Sequence, residues 1–222
     1  MKRIKNRLVR MSLCIIGIGI IVLGGVYGNT IRQKENQLTA EQIETMRAKY
    51  PLGSEPEVLE SKDVLSLEAV IERGDTFVYG EIIGDKGTYT KNITSGDSEL
   101  DAKLESKGMN TVSFYEYPLR VLSDSEGILK TGDEITIFAP KVYEGSYPEL
   151  SKGMKVVVPI LTVPVEKHPE WRKEYTLTGS YYVTEDGYAI AAFDEAQAPS
   201  TLTRSGYTSG LKVDALLRRL KK

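Results

Sequence analysis

Hydrophobic positions fall into one unbroken run near the N-terminus and a series of short, alternating runs after it. The unbroken run, Met11 to Gly28, reads MSLCIIGIGIIVLGGVYG and carries no charge. At about 1.5 Å per residue it would span roughly 27 Å as a helix, close to the ~30 Å hydrocarbon core of a bilayer. Residues 1–10 hold Lys2, Arg3, Lys5, Arg7 and Arg10 and no acid. The positive-inside rule therefore keeps that segment in the cytoplasm and exports the remainder of the chain. The run exceeds the roughly 7–15-residue core of a signal peptide, which favours a retained anchor. Val26-Tyr27-Gly28 still offers small or modest residues for a signal peptidase, so secretion after cleavage is the alternative.

After the anchor the pattern changes to short elements. Residues 29–60 read as a juxtamembrane stalk and linker. Thr39 and Gln42 make a capping box for a helix over 40–49, with Ile43 and Met46 on one side. Its apolar stripe is thin, which fits a stalk or a lightly docked lid, and Pro51, Gly53 and Pro56 end it. A domain then occupies 61–222. Leu65, Leu67, Val70 and Ile71 have helical spacing. TFVYGEIIG comes next, with apolar residues on both faces and Gly80 in the middle, as in a barrel strand with a bulge or a bend. Gly84 to Asn110 is a polar insertion holding a strand near 88–93 and a helix over 98–106. The runs 111–122, 134–139 and 154–163 read as strands, with Pro118 and Pro159 demanding edges or bulges. Residues 175–193 form a hairpin turning at Glu185-Asp186-Gly187, and Val213 to Leu220 is an amphipathic helix. About five to seven strands with flanking short helices predict a mainly β, closed or partly closed small barrel.

Charge and cysteine usage narrow the function. The chain is at −2 overall, and its first 28 residues contribute five positive charges, so the exported part is at −7. That balance excludes a nucleic-acid partner. Cys14 is the only cysteine, so the domain folds without a disulfide. The cysteine lies at the start of the apolar run behind Leu13, which does not suit lipid attachment. His168 is the only histidine, and a zinc site needs three or four ligands. Asp97, Glu99 and Asp101 alternate like calcium ligands, but the sixth and twelfth positions hold Ala102 and Gly108. No metal or cofactor is expected.

The pieces Ser66 to Gly84, KTGDEITIF (130–138), LSKGMKVVVPI (150–160) and Tyr181 to Phe193 succeed one another in an order that resembles a group of uncharacterised surface proteins of Gram-positive bacteria. These are membrane-anchored or secreted. The resemblance implies an OB-like β-barrel outside the membrane. The matching residues are turn and core residues, so it implies a fold and names no catalytic group.

Candidate chemistry is sparse. Glu81 and Glu116 stand inside apolar β runs, where a buried carboxylate needs a partner. With His168 they are the candidates for a wall-associated hydrolase. Tyr115, Tyr143, Tyr147 and Tyr182 lie on or beside expected strands, where aromatic rings would stack on sugar or peptide. The insertion 84–110 and the loop 143–147 are the expected contact surfaces. The reading favoured by the sequence is a binding or assembly protein anchored through residues 11–28, with a protein or cell-wall glycan as partner. The alternatives are the hydrolase and a structural accessory subunit of a membrane complex.

Overall fold

The structure, a computed structural model, describes residues 37–53, 66–73, 75–92, 94–160, 175–198, 200–203 and 206–222. The apolar run 11–28 with Cys14, and the segment 161–174 with His168, lie outside them. Among the described residues no helix is long and apolar enough to cross a membrane. Residues 39–222 make one compact unit.

That unit is built on an antiparallel sheet of seven strands among the described residues. They are β1 (Thr76–Ile82), β2 (Gly87–Asn92), β3 (Thr111–Asp124), β4 (Glu134–Pro140), β5 (Lys155–Ile160), β6 (Tyr181–Val183) and β7 (Ala189–Ala191). Four short helices accompany them: α1 (Ala40–Met46), α2 (Leu67–Glu72), α3 (Ser98–Ser106) and α4 (Val213–Leu220). The mainly β architecture with flanking helices agrees with the sequence.

The fourteen-residue β3 is the spine. Its first half pairs with β2 and its second half with β1, both along one edge. Its other edge pairs with β4 from Phe114 to Arg120. Pro118 falls where β1 has ended and β2 has not begun. Its missing N–H therefore costs no ladder bond, while its carbonyl accepts from Ile83 N at 2.9 Å. Beyond β1 the order continues β5, β6, β7. Pro159 lies past the β5–β6 ladder, which stops at Val157.

Gly80 is a forced choice. The β1–β3 register slips between Tyr79 and Gly80, and a β-carbon at Gly80 would lie 2.7 Å from Leu119 Cγ. Only glycine lets the backbones approach there, so the sheet bends at this point.

The bend curls the sheet, yet the sheet does not close. No ladder joins β4 to β6 among the described residues. Among the described residues the gap is crossed by one backbone bond, Tyr175 N to Phe138 O at 3.1 Å, and Tyr175 also bridges Ile160. The expected barrel is thus an open, curled sheet.

Strand alternation sorts side chains into two layers. Val78, Ile82, Tyr117, Leu119, Val121, Ile137, Val156, Val158 and Tyr182 are buried on the concave side. Phe77, Val157 and Tyr181 point the other way, into a second core with Leu67 and Val70 of α2 and Val213, Leu216, Leu217 and Leu220 of α4. This explains why β1 and β5 are apolar on both faces. The bidentate pair Arg73–Asp75, at 2.8 and 2.5 Å, fixes the α2–β1 corner over a fully buried Asp75 side chain. At the far end Gly187, at φ +75°, turns the β6–β7 hairpin.

Candidate functional site

Among the described residues the helical layer covers only part of the convex face. It packs over β1, β5 and β6, whereas β2, β3 and the outer end of β4 carry three clustered rings of their own. Tyr89 stands opposite Phe114 in the β2–β3 register, and Phe138 stands opposite Glu116 in the β3–β4 register. These positions share one face by two-residue alternation. The ring centroids are 6.3 Å apart for Tyr89–Phe114, 5.8 Å for Tyr89–Phe138 and 6.3 Å for Phe114–Phe138. Tyr89 is 37% exposed, and both phenylalanines are half-buried. The planes are inclined at 31°, 50° and 74°. Around them lie Lys91, Val112, Glu116 and the Arg120–Glu134 ion pair, whose atoms are 3.4 Å apart. An apolar centre with a rim of both charges is the anatomy of a protein-contact patch.

The residues expected from the sequence distribute differently. Tyr115 is on the opposite face of β3, at the open end of the concave side. Its hydroxyl donates to Glu144, and the ammonium groups of Lys86 and Lys141 lie 4.5 and 5.4 Å from its ring centroid. The bond to Glu144 raises its pKa first, and burial adds to this. Lys86 also pairs with Glu149 at 3.3 Å. Tyr147 is half-buried and meets Tyr175 edge-on at 5.3 Å. Tyr182 is 2% exposed and packs on Tyr50 at 5.4 Å, so it is a core residue and not a surface contact. The side chain of Tyr143 lies outside the described atoms, as does His168.

Burial in the two cores makes these phenols weak acids. Desolvation raises Tyr117 and Tyr182 to about 12, and it holds Tyr175 and Tyr181 well above the ordinary phenol value. Tyr181 bonds Thr208 at 2.7 Å, and Thr208 in turn donates to the buried carboxylate of Glu195. Glu195 and Glu68 together pin the segment between β7 and α4, since Glu68 accepts from Ser200 and Thr201. Both carboxylates are satisfied by hydroxyls and backbone amides, which is a structural role. The Tyr175 hydroxyl is the one buried side-chain polar atom among the described residues without a hydrogen-bond partner. Tyr175→Phe is therefore expected to keep the fold and raise stability by about 1 kcal/mol, read as a higher urea midpoint.

The structure does not bring Glu81 and Glu116 together. Glu81 stands opposite Arg120, four positions along β3 from Glu116, and the Glu116 side chain lies over Gly87. Among the described residues no group of acids, histidines or cysteines is placed to hold a metal ion.

The sequence pattern did not single out Phe114 and Phe138, while Tyr89 lies within the insertion 84–110 expected as a contact surface. A usable signal was present: Leu119 and Val121 must face inward, so the odd positions of β3 before the slip beyond Val121 do, and Phe114 is left outside.

These features define the class of fold as an open antiparallel sheet, helix-covered on part of its convex face and aromatic on the rest. Compared with known protein families, curated proteins and solved structures, the chain matches none of them.

Proposed function

We propose that the chain is a membrane-anchored, extracytoplasmic binding or assembly protein, and that it contacts a partner protein through the Tyr89–Phe114–Phe138 face. The observation that carries this reading is the grouping of three partly exposed rings on the part of the convex face that the helices leave uncovered. Aromatic residues at the centre of a patch, ringed by polar groups, supply most of the energy of a protein contact. The inclination of the rings favours protein over glycan, because a sugar stacks best on rings that share a plane. The uncharged run 11–28 behind a basic segment supports the anchor and the exported domain. The curled sheet is read as an OB-like barrel left open between β4 and β6. Its order β4-β3-β1-β5-β6, with a single backbone bond across the gap, supports that reading.

The test is to purify the tagged full-length protein from native membranes, as wild type and as the double variant Phe114→Ser, Phe138→Ser. One stoichiometric protein is expected with the wild type and a loss of at least tenfold with the variant, while both fold alike by circular dichroism. Recovery of the same proteins with both would remove the aromatic face from the function. Resistance of the domain to protease added to intact cells would remove the exported location.

A further inference from the structure

The segment after α1 does not trail away from the domain. The helix itself buries no residue, but residues 47–53 lie along the β6–β7 hairpin as a strap. Arg47 Nη1 donates to Ala191 O at 2.7 Å, and Gly53 N donates to Ala192 O at 2.7 Å. These bonds satisfy the two carbonyls at the end of β7, where its ladder stops. Between them Tyr50, 8% exposed, packs on Tyr182, and Lys49 pairs with Glu185 at 3.3 Å. Gly53 passes through a slot that admits no side chain. A β-carbon there would collide with the Ser146 carbonyl and lie 2.7 Å from Leu177 Cδ1. The groove thus recognises a turn and the short tail after it by cation, aromatic ring and glycine in fixed order, and this chain carries that segment.

Twelve residues, 54–65, separate the strap from Ser66, which caps α2. A connector of that length reaches up to about 40 Å. A domain of this size has a radius of gyration of about 16 Å, so its diameter is about the same as that reach. The strap of one chain can therefore arrive at the groove of a touching neighbour.

We propose that this groove is an interaction surface for a second copy of the chain, with the 47–53 strap of each copy seating on the β6–β7 hairpin of the other. Contacts in the exchanged pair are the same as those within one chain, so they cancel in the balance. The outcome is set by concentration: exchange competes once neighbouring chains approach the effective concentration of a tethered segment, which is in the millimolar range for a short connector. The proposal uses none of the aromatic-face residues and stands independently of the reading above.

The Lys49–Glu185 ion pair supplies the readout, because a zero-length carbodiimide joins an amine and a carboxylate in contact. Full-length chains labelled with nitrogen-14 and nitrogen-15 are mixed in equal amounts, incubated at rising concentration, treated and digested. Mixed-label Lys49–Glu185 peptide pairs are expected to rise with concentration toward about half of all such pairs, the statistical limit for full exchange in a twofold pair. Gly53→Val in both chains is expected to lower every Lys49–Glu185 pair at least tenfold, since valine does not pass the slot. Pairs that stay single-label at all concentrations would overturn the proposal, because the strap would then remain within its own chain. Mixed pairs that persist undiminished with Gly53→Val would also overturn it, because they would report collision and not seating in the groove.

Discussion

Raising the pH above 10 is expected to unfold the domain steeply. In an unfolded chain a tyrosine loses its proton near pH 10. In the folded domain burial raises Tyr117 and Tyr182 to about 12, and holds Tyr175 and Tyr181 well above the ordinary phenol value. Proton counting sets the sign. Below pH 10 both states keep the phenolic protons, and the stabilisation is fully present. Between 10 and 12 the unfolded chain releases protons that the folded one retains, so rising pH favours unfolding. Each retained phenol costs about 1.4 kcal/mol per pH unit, and four of them together cost roughly 5–6 kcal/mol per unit. One to two units remove most of the ~5–15 kcal/mol that holds an ordinary domain. Urea midpoints measured at half-unit steps from pH 8 should stay level to about pH 9.5 and then collapse, together with the near-ultraviolet signal. Tyr182→Phe should remove about a quarter of the slope. A urea midpoint and near-ultraviolet signal that stay level through pH 12 would mean that these rings are open to solvent.

The local elements were largely legible from sequence, because each has a local cause. Thr39 and Gln42 form the reciprocal capping box that their spacing announces, the Gly187 turn and the 213–220 helix fall where expected, and the slip at Gly80 matches its place in mid-strand. What escaped were facts about pairs of distant residues. Alternation along β3 defines two faces but leaves open which one the rest of the chain covers. Tyr182 looked like a surface ring until β5 and α1's trailing segment took their places beside it, and Tyr115 stays partly exposed beside Glu144. The closure of the barrel depends on whether β4 finds β6. Among the described residues a single backbone bond, Tyr175 N to Phe138 O, spans that gap. The pinning of the β7–α4 segment by Glu68 and Glu195 joins residues more than a dozen positions apart, and no spacing rule reaches that far.

Phe77→Ala is expected to be the most damaging single truncation. The ring is fully buried and belongs to the helical layer. It sits on the strand whose other face, through Val78 and Ile82, belongs to the concave layer, so its loss is felt by both cores. Removing a buried phenylalanine costs about 3–5 kcal/mol from lost transfer energy and the cavity left behind. For a domain of this length that corresponds to a fall in Tm of roughly 6–20 °C. Phe114→Ala provides the contrast. That ring is half-buried on the uncovered convex face, and its removal should cost under about 1.5 kcal/mol. The difference between the two melting curves bears directly on function. A contact surface must hold its aromatic rings partly in water before the partner arrives, and so must be cheap to truncate in the free protein. If Phe114→Ala destabilises as much as Phe77→Ala, its ring is already buried by this chain, and there is no free aromatic face for a partner to meet.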